Sequence, residues 1–217
     1  MLYRQATEAE LEALWDRNIA ENRHDKRWIE WKKEFMTNNR SGKAVTFLVL
    51  CNEDAVGEGT LLLSPTCSAI AGRKVLCDGK ATANINALRI QKAYEGKGHI
   101  SKLIREMEQF ALRNHITKLT IGVEAKETRT LAIYLHLGFT EFLFAEVEDG
   151  ELVLYFGKQT HHLRTPEYRN SLPIPLFSTG REIGRCFNKL FCTESPPRNG
   201  QAFLRGNQQM STYFCNI

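Results

Sequence analysis

The residues with the clearest chemical potential are Gly96 and Gly98, which lie directly before a segment with helical periodicity. The first backbone N–H groups of a helix have no intrahelical partner, and the helix dipole favours negative charge there. Glycines leave such amides accessible to a phosphate group, and Lys97 and Lys102 add positive charge nearby. The stretch therefore predicts a phosphate-binding turn, although a strand-to-helix turn also uses glycines simply to reverse direction.

Regular elements on both sides would position this turn. Residues 81–90 form a strand-like run, and the segment after the turn carries apolar residues at the spacing of a core-facing helix. Residues 118–124 indicate a second buried strand, and residues 128–137 indicate a short helix. Gly138 and Phe139 then have the pattern of a helix-ending glycine with its hydrophobic partner. The sequence thus predicts a strand, turn and helix followed by a second strand and helix.

The order of these elements resembles the GNAT superfamily of N-acetyltransferases over residues 2–158, including the TIGVE strand, the LAIYLHLGF helix and the TEFLF strand. The resemblance implies a mixed α/β fold, the acyl-CoA N-acyltransferase fold, in which helices flank a mostly antiparallel central sheet. It implies that acetyl-CoA is the co-substrate. The acetyl group would pass to a primary amine of a small molecule or peptide by direct attack in a ternary complex. Residues 1–158 would form this domain, and residues 159–217 a C-terminal extension.

The resemblance also assigns a coenzyme site. In the family a Gln/Arg-x-x-Gly-x-Gly/Ala turn binds the pyrophosphate through backbone amides, and Gly98 matches its central glycine. The strand before the turn pairs with the pantetheine arm. The coenzyme-binding residues expected on this basis are Leu88, Arg89, Ile90, Glu95, Gly96, Lys97, Gly98, His99, Ile100, Ser101, Lys102 and Glu127. Of these, His99 is expected to contribute only its backbone amide. A tyrosine on the later helix, here Tyr134, faces the coenzyme sulfur.

The sequence departs from the family pattern at several positions of this site. Glu95 stands where the family prefers Gln or Arg, Ile100 where it prefers Gly or Ala, and Glu127 where Asn is frequent. A carboxylate beside a pyrophosphate is electrostatically unfavourable, whereas the backbone amides do most of the binding. Weaker coenzyme affinity is therefore expected, and a catalytically weak acetyl-CoA-binding module is an alternative function.

Catalysis requires a neutral amine, a route for its proton and a proton donor for the departing thiolate. Tyr134 is the candidate catalytic donor, and the alternative is a core tyrosine whose hydroxyl is satisfied within the fold. The central strand offers Asn84 and Asn86 where many family members have a carboxylate or His, and neither amide can accept a proton. A water relay is the preferred route for the amine proton. Other candidates for the base are Glu58, Glu124 and His136.

The sequence predicts two N-terminal helices, the second over residues 25–36, and the resemblance implies that they form one wall of the acceptor pocket. Trp28 or Trp31 of the second helix could stack on a substrate, although packing into the core is the alternative for at least one of them. Asn84, Asn86 and Glu124 complete the candidate substrate contacts. The acidic residues 146–151 could attract a cationic amine or simply form a solvated hairpin turn.

The composition is that of a globular protein with one domain, or one domain and an appendage. Of its 217 residues, 42% are hydrophobic and 25% are charged. No apolar run is long enough to span a bilayer, and the N-terminus lacks the hydrophobic segment of a secretory signal. The six cysteines contain no Cys-x-x-Cys pair, so we expect reduced thiols in a cytoplasmic protein. His161 and His162 with Cys186 and Cys192 fit no common zinc pattern, and no metal site is expected.

Residues 159–217 differ in composition from the rest of the chain. They contain seven Lys and Arg and three Asp and Glu, so the net charge of +4 belongs to this basic extension and residues 1–158 hold 22 charges of each sign. Seven cations over 59 residues make no dense patch, so nucleic acid is an unexpected partner. An interaction protein with a nucleic-acid-binding basic tail is the remaining alternative. The extension, with a predicted helix over residues 179–191, could dock on the domain, cover a neighbouring subunit of a homodimer or remain mobile.

Overall fold

The computed structural model describes residues 1–160 of the chain, which contain seven strands and four α-helices. In chain order they are β1 (Leu2–Gln5), α1 (Glu8–Glu21), α2 (Arg27–Arg40), β2 (Ala44–Cys51), β3 (Asp54–Leu62), β4 (Thr82–Ile90), α3 (His99–Arg113), β5 (Lys118–Glu124), α4 (Thr128–His136), β6 (Glu141–Glu148) and β7 (Glu151–Gln159). The predicted helix over residues 25–36 corresponds to α2, which begins and ends later in the chain. The predicted helix over residues 179–191 and the candidate metal ligands from His161 onward lie outside the described residues.

One sheet contains all the strands of this part of the chain, in the order β1-β2-β3-β4-β5-β7-β6. The neighbours are antiparallel except for β4 and β5, which are parallel. Tight turns at Asn52–Glu53 and Asp149–Gly150 join β2 to β3 and β6 to β7, and their positive φ angles match the right-handed twist of paired strands. The predicted mixed, mostly antiparallel sheet flanked by helices is confirmed. None of the helices within residues 1–160 has the length and apolar character needed to cross a membrane.

The helices and one long loop cover the two faces of this sheet separately. On the α3 face, α3 and α4 pack in one large buried cluster that includes Ile85, Leu103 and Ile121. On the opposite face, which we call the α1 face, α1 and α2 pack around Trp15 and Phe35. Residues 63–81, between β3 and β4, cover another part of this second face. Because side chains alternate along a strand, each strand contributes to both layers.

The parallel strands β4 and β5 stay together over only four residue pairs, the last of which is Ile85 opposite Ile121. Beyond this pair, β4 continues to Ile90 alongside β3, whereas β5 continues to Glu124 alongside β7. Among the strands of the described residues, none lies between the two diverging segments. The sheet therefore opens into a cleft between residues 86–90 and 122–124, which we call the β4–β5 cleft.

A β-bulge in β4 accounts for this divergence. Glu58 of β3 lies opposite Arg89 of β4. The next partners are Thr60 and Asn86, so two residues of β4 lie opposite one residue of β3. Ala87 within the bulge has a φ of 50°, in the left-handed region. A bulge bends the strand that carries it and increases the local twist, so β4 turns away from β5 beyond their last paired residues.

Gly59, the β3 residue opposite the bulge, allows α3 to rest directly on the sheet. A Cβ atom at this position would lie 2.8 Å from Leu88 Cδ1 and 2.9 Å from Met107 Cε. Gly59→Val should therefore overpack the contact and lower the free energy of unfolding by about 1–3 kcal/mol, as measured by urea denaturation. An unchanged denaturation midpoint would contradict this close seating of α3.

Candidate active site

The unpaired edges of β4 and β5 line the β4–β5 cleft, and an extended ligand could bind between them. Residues 86–90 form its β4 side and include Leu88, Arg89 and Ile90 of the predicted pantetheine-binding strand. The side chains of Leu88 and Ile90 are buried on the α3 face, so the resemblance can assign only their backbone to a ligand. Main-chain pairing along a strand edge is a common way to hold an extended molecule.

The predicted phosphate turn lies at the end of β4, where α3 begins. Gly96 and Gly98 have φ angles of 70° and 76°, and a Cβ atom on either residue would meet no atom within 4 Å. Packing therefore leaves space beside both glycines. The first hydrogen bond of α3 joins Lys102 N–H to Gly98 C=O at 3.2 Å, so the three amides from His99 onward have no acceptor within the helix. This end of α3 has the geometry of an anion site.

Side chains at the turn leave these amides accessible. Ile100, which replaces the small residue of the family pattern, is 7% exposed and packs into the α3-face cluster rather than over the helix end. Lys97 folds back over the turn, where its Nζ donates to the carbonyl of Ala93 at 2.8 Å and lies 5.4 Å from the Tyr94 ring. Lys102 Nζ lies 5.7 Å from the Tyr3 ring. The half-buried Glu95 caps the preceding 3₁₀ turn through its backbone N–H.

His99 is held by its side chain as well as by its place in the turn. The ring is 8% exposed, and its Nδ1 lies 2.7 Å from the Tyr3 hydroxyl, a hydrogen bond between β1 and the first residue of α3. This side-chain link is a structural role separate from the backbone contact to the coenzyme that the sequence analysis predicts for His99. The two residues are 96 positions apart, so no local spacing in the sequence indicates the contact.

Tyr134 lies in the second turn of α4 and is buried, with 1% of its surface exposed. It belongs to the same cluster as Ile85 and Ile121, the last residues to pair before the strands diverge. Its ring centroid lies 6.2 Å from that of Phe139, whose N–H donates to the Tyr134 carbonyl at 3.0 Å. The predicted helix-ending pattern of a glycine and a following phenylalanine thus fixes the position of this tyrosine. The half-buried Glu127 occupies the N-cap of the same helix.

A buried ion pair occupies the α1 face next to the bulge. Glu58 is 3% exposed, and its Oε1 accepts hydrogen bonds from Arg89 Nε at 2.8 Å and from Asn18 Nδ2 at 3.2 Å. The Arg89 guanidinium also lies 5.0 Å from the centre of the Trp28 ring. Asn18, Glu58 and Arg89 line a cavity of about 170 Å³ between α1 and the adjoining parts of β3 and β4. Glu58 is therefore already engaged by donors, which weakens its candidacy as the general base.

The two tryptophans of α2 have different environments. Trp31 is 7% exposed and belongs to the α1-face core, as the structural alternative predicted for at least one of them. Trp28 is half-buried and stands between Trp15 and Arg89. Next to it, Arg27 Nη1 donates to Asp149 Oδ2 at 3.1 Å and joins the start of α2 to the turn between β6 and β7. Trp28 is thus better placed than Trp31 to contact a substrate.

The polar residues of the central strands are unequally satisfied. Asn84 is 2% exposed, and its Nδ2 donates to Thr120 Oγ1 at 3.0 Å across the last stretch where β4 and β5 pair. Asn86 is 3% exposed, but neither its Nδ2 nor its Oδ1 has a hydrogen-bond partner in the described part of the chain. Glu124 is 5% exposed and forms an ion pair with Lys126 at 2.9 Å. His136 is exposed on the last turn of α4.

Sheet order, a cleft between the parallel strands and a glycine turn at its mouth together define the acyl-CoA N-acyltransferase fold. The chain belongs to the acetyltransferase (GNAT) family, whose family model matches residues 6–139. The resemblance stated from the sequence is therefore confirmed. No curated protein sequence matches the chain significantly.

Several solved structures share the fold at low sequence identity. A chimera of the Vibrio cholerae spermidine N-acetyltransferase SpeG with hSSAT has 15% identity and a TM-score of 0.55, covering 74% of this chain and 96% of that one. The ribosomal-protein-alanine N-acetyltransferase of Brucella melitensis has 20% identity and a TM-score of 0.52, with coverages of 73% and 99%. The yncA protein of Salmonella typhimurium, solved with acetyl-CoA, has 15% identity and a TM-score of 0.56, with coverages of 77% and 98%.

The environment of His99 predicts a pH dependence of stability. Burial, followed by the positive charges of Lys102 and Lys97, lowers the pKa of His99 below its ordinary value of 6.5. The unfolded chain therefore binds a proton on this residue more readily than the native protein. The stability due to neutral His99 is complete above the unfolded pKa and is lost as the pH falls towards the lower native pKa.

Between about pH 7.5 and about pH 5.5, the free energy of unfolding should therefore fall more for the wild type than for His99→Gln, which cannot titrate. Urea denaturation at both pH values measures this difference. Equal losses in the two proteins would contradict the prediction.

Proposed function

We propose that this protein transfers the acetyl group of acetyl-CoA to a primary amine by direct attack in a ternary complex, with residues 1–158 as the catalytic domain. The observation that carries the proposal is the divergence of β4 and β5 beyond Ile85 and Ile121, with the start of α3 at the mouth of the cleft. A thioester held between the strands would be reached from the α1 face by an amine.

The coenzyme would be bound mainly by backbone groups. The amides at the start of α3 would donate to the pyrophosphate, and Lys97 and Lys102 would add positive charge beside it. The backbone of Leu88, Arg89 and Ile90 would pair with the pantetheine arm. The open space beside both turn glycines and the inward direction of Ile100 support this assignment. Because the binding groups are amides, the unusual Glu95 and Glu127 would weaken affinity rather than abolish it.

In the reaction, the nitrogen of a neutral amine attacks the thioester carbon and forms the new C–N bond. The tetrahedral intermediate collapses, the C–S bond breaks, and the thiolate takes a proton from Tyr134. The proton released by the amine passes to water, because Asn84 and Asn86 cannot accept it. The burial of Tyr134 in the α3-face cluster that also contains Ile85 and Ile121 supports its role as donor.

The acceptor remains defined only as a primary amine. Two similar structures are named for spermidine and for alanine of ribosomal proteins, which supports an amine acceptor without choosing between a small molecule and a peptide. Trp28, Arg89 and Glu124 are the residues of the α1 face that we assign to acceptor contacts. Thiol release from acetyl-CoA over a library of primary amines, including spermidine and a peptide with N-terminal alanine, tests the activity.

Gly98→Ala tests the coenzyme site. The substitution strains the backbone at a φ of 76° and places a methyl group where the phosphates would lie. Acetyl-CoA affinity, measured by titration calorimetry, should fall about 10-fold to 100-fold, as expected when a charged hydrogen-bonded group is displaced. Gly42→Ala is the matched control, because Gly42 has a φ of 71° and equally open space in the loop before β2. Equal affinity in both variants would contradict the assignment of the turn.

Tyr134→Phe tests the proton donor. Turnover of the best amine should fall about 100-fold or more, because the thiolate would leave without general-acid assistance, while acetyl-CoA affinity should stay close to that of the wild type. Unchanged turnover in Tyr134→Phe would remove the assigned role. Tight coenzyme binding by a wild type that acetylates no amine would instead favour the binding-module alternative.

A further inference from the structure

We propose that the side-chain amide of Asn86 positions the attacking amine at the apex of the β4–β5 cleft. The inference rests on the proposed acetyltransferase function and names one group of its acceptor site. The observation behind it is a polar side chain that the fold buries, to 3% exposure, without giving either of its polar atoms a partner in the described residues. Buried amides are nearly always hydrogen-bonded, so such an exception requires an explanation.

The position of Asn86 in the sheet supplies that explanation. Asn84, two residues earlier on the same face, reaches across to β5 and donates to Thr120. An equivalent contact from Asn86 would fall on the next part of β5, but the pairing of β4 with β5 has ended at Ile85 and β5 has moved away. Asn86 is therefore the first inward-facing polar residue beyond the point of divergence. The cleft removes the partner that continued strand pairing would have provided.

The immediate surroundings do not replace this partner. Thr60, the residue opposite Asn86 on β3, has its hydroxyl 2.8 Å from that of Thr46. On β5 the next residue of the same face is Gly122, which has no side chain, and a Cβ there would lie 2.8 Å from the Tyr155 ring. Thr60 is thus engaged with Thr46 and Gly122 has no side chain, so neither residue bonds the amide of Asn86.

The chemistry of an amide suits a neutral amine nucleophile. Asn86 Oδ1 would accept one N–H of the amine, which leaves the nitrogen lone pair available to attack the thioester carbon and form the C–N bond. Nδ2 would donate to an oxygen of the acceptor or to the water that receives the amine proton. Since an amide cannot take that proton, Asn86 orients the nucleophile and does not act as the base.

Asn86→Leu separates this role from a structural one. If the amide serves only the substrate, an apolar side chain of similar volume removes a buried unsatisfied group, and the melting temperature should rise by about 2–4 °C. The kcat/KM for the best amine of the library should fall about 10-fold to 100-fold, while acetyl-CoA affinity stays unchanged. Thr160→Val is the control, because it removes a half-buried hydroxyl that donates to the Ile116 carbonyl at 2.8 Å, beyond the end of β7 that lies away from the cleft. It should lower the melting temperature and leave kcat/KM for the amine unchanged.

Asn86→Asp provides a second test that does not depend on the leucine variant folding. Its carboxylate is a strong acceptor for an amine N–H, whereas its protonated form is a weaker acceptor and carries a competing O–H donor, so kcat/KM should decrease at low pH with a limb that the wild-type profile lacks. An active wild type whose kcat/KM is unaffected by Asn86→Leu, or whose pH profile coincides with that of Asn86→Asp, would overturn the inference alone. A wild type that acetylates no amine would overturn the proposed function, and the inference with it.

Discussion

The loss of pairing between β4 and β5 after four residue pairs is the constraint on which the rest of the structure depends. A left-handed conformation at a residue such as Ala87 costs about 1–2 kcal/mol, so the surrounding packing must hold the bulge in place. The seat of α3 on Gly59, with Leu88 and Met107 in close contact, provides this support. The cleft is therefore a property of the packed core rather than of the strand ends.

The bulge also determines which residues face which layer. Without the extra residue, the alternation of β4 would place Leu88 and Ile90 on the same face as Asn86. With it, both apolar residues join the α3-face core, and Arg89 points to Glu58 on the α1 face. One inserted residue thus separates an apolar layer, which supports the proposed coenzyme strand, from a polar surface that the amine would approach.

The charges on the two sides of the cleft are arranged differently. At the start of α3, unsatisfied amides and two lysines create a positive region, and burial followed by these charges lowers the pKa of His99 within it. Across the α1 face, charged side chains are held in pairs, including Glu58 with Arg89 and Arg27 with Asp149. The positive region at the start of α3 suits a diphosphate. The pairing of charges on the α1 face limits the electric field that an approaching amine would experience.

Local patterns in the sequence were sufficient to predict the helices and strands discussed above and the glycine turn before α3. Helix starts depend on nearby residues, as in the Thr7 and Glu10 capping box that the structure contains. Likewise, the two glycines predicted a turn before α3, and both have positive φ angles there. The tertiary structure alone decided that Tyr3 holds His99 and that Trp31 rather than Trp28 belongs to the core. It also decided that the amide of Asn86 has no hydrogen-bond partner within residues 1–160. These outcomes depend on strand register and on the bulge at Ala87, which has a left-handed φ angle. Because alanine carries no local sequence signature for a left-handed conformation, the bulge could not be predicted from the sequence.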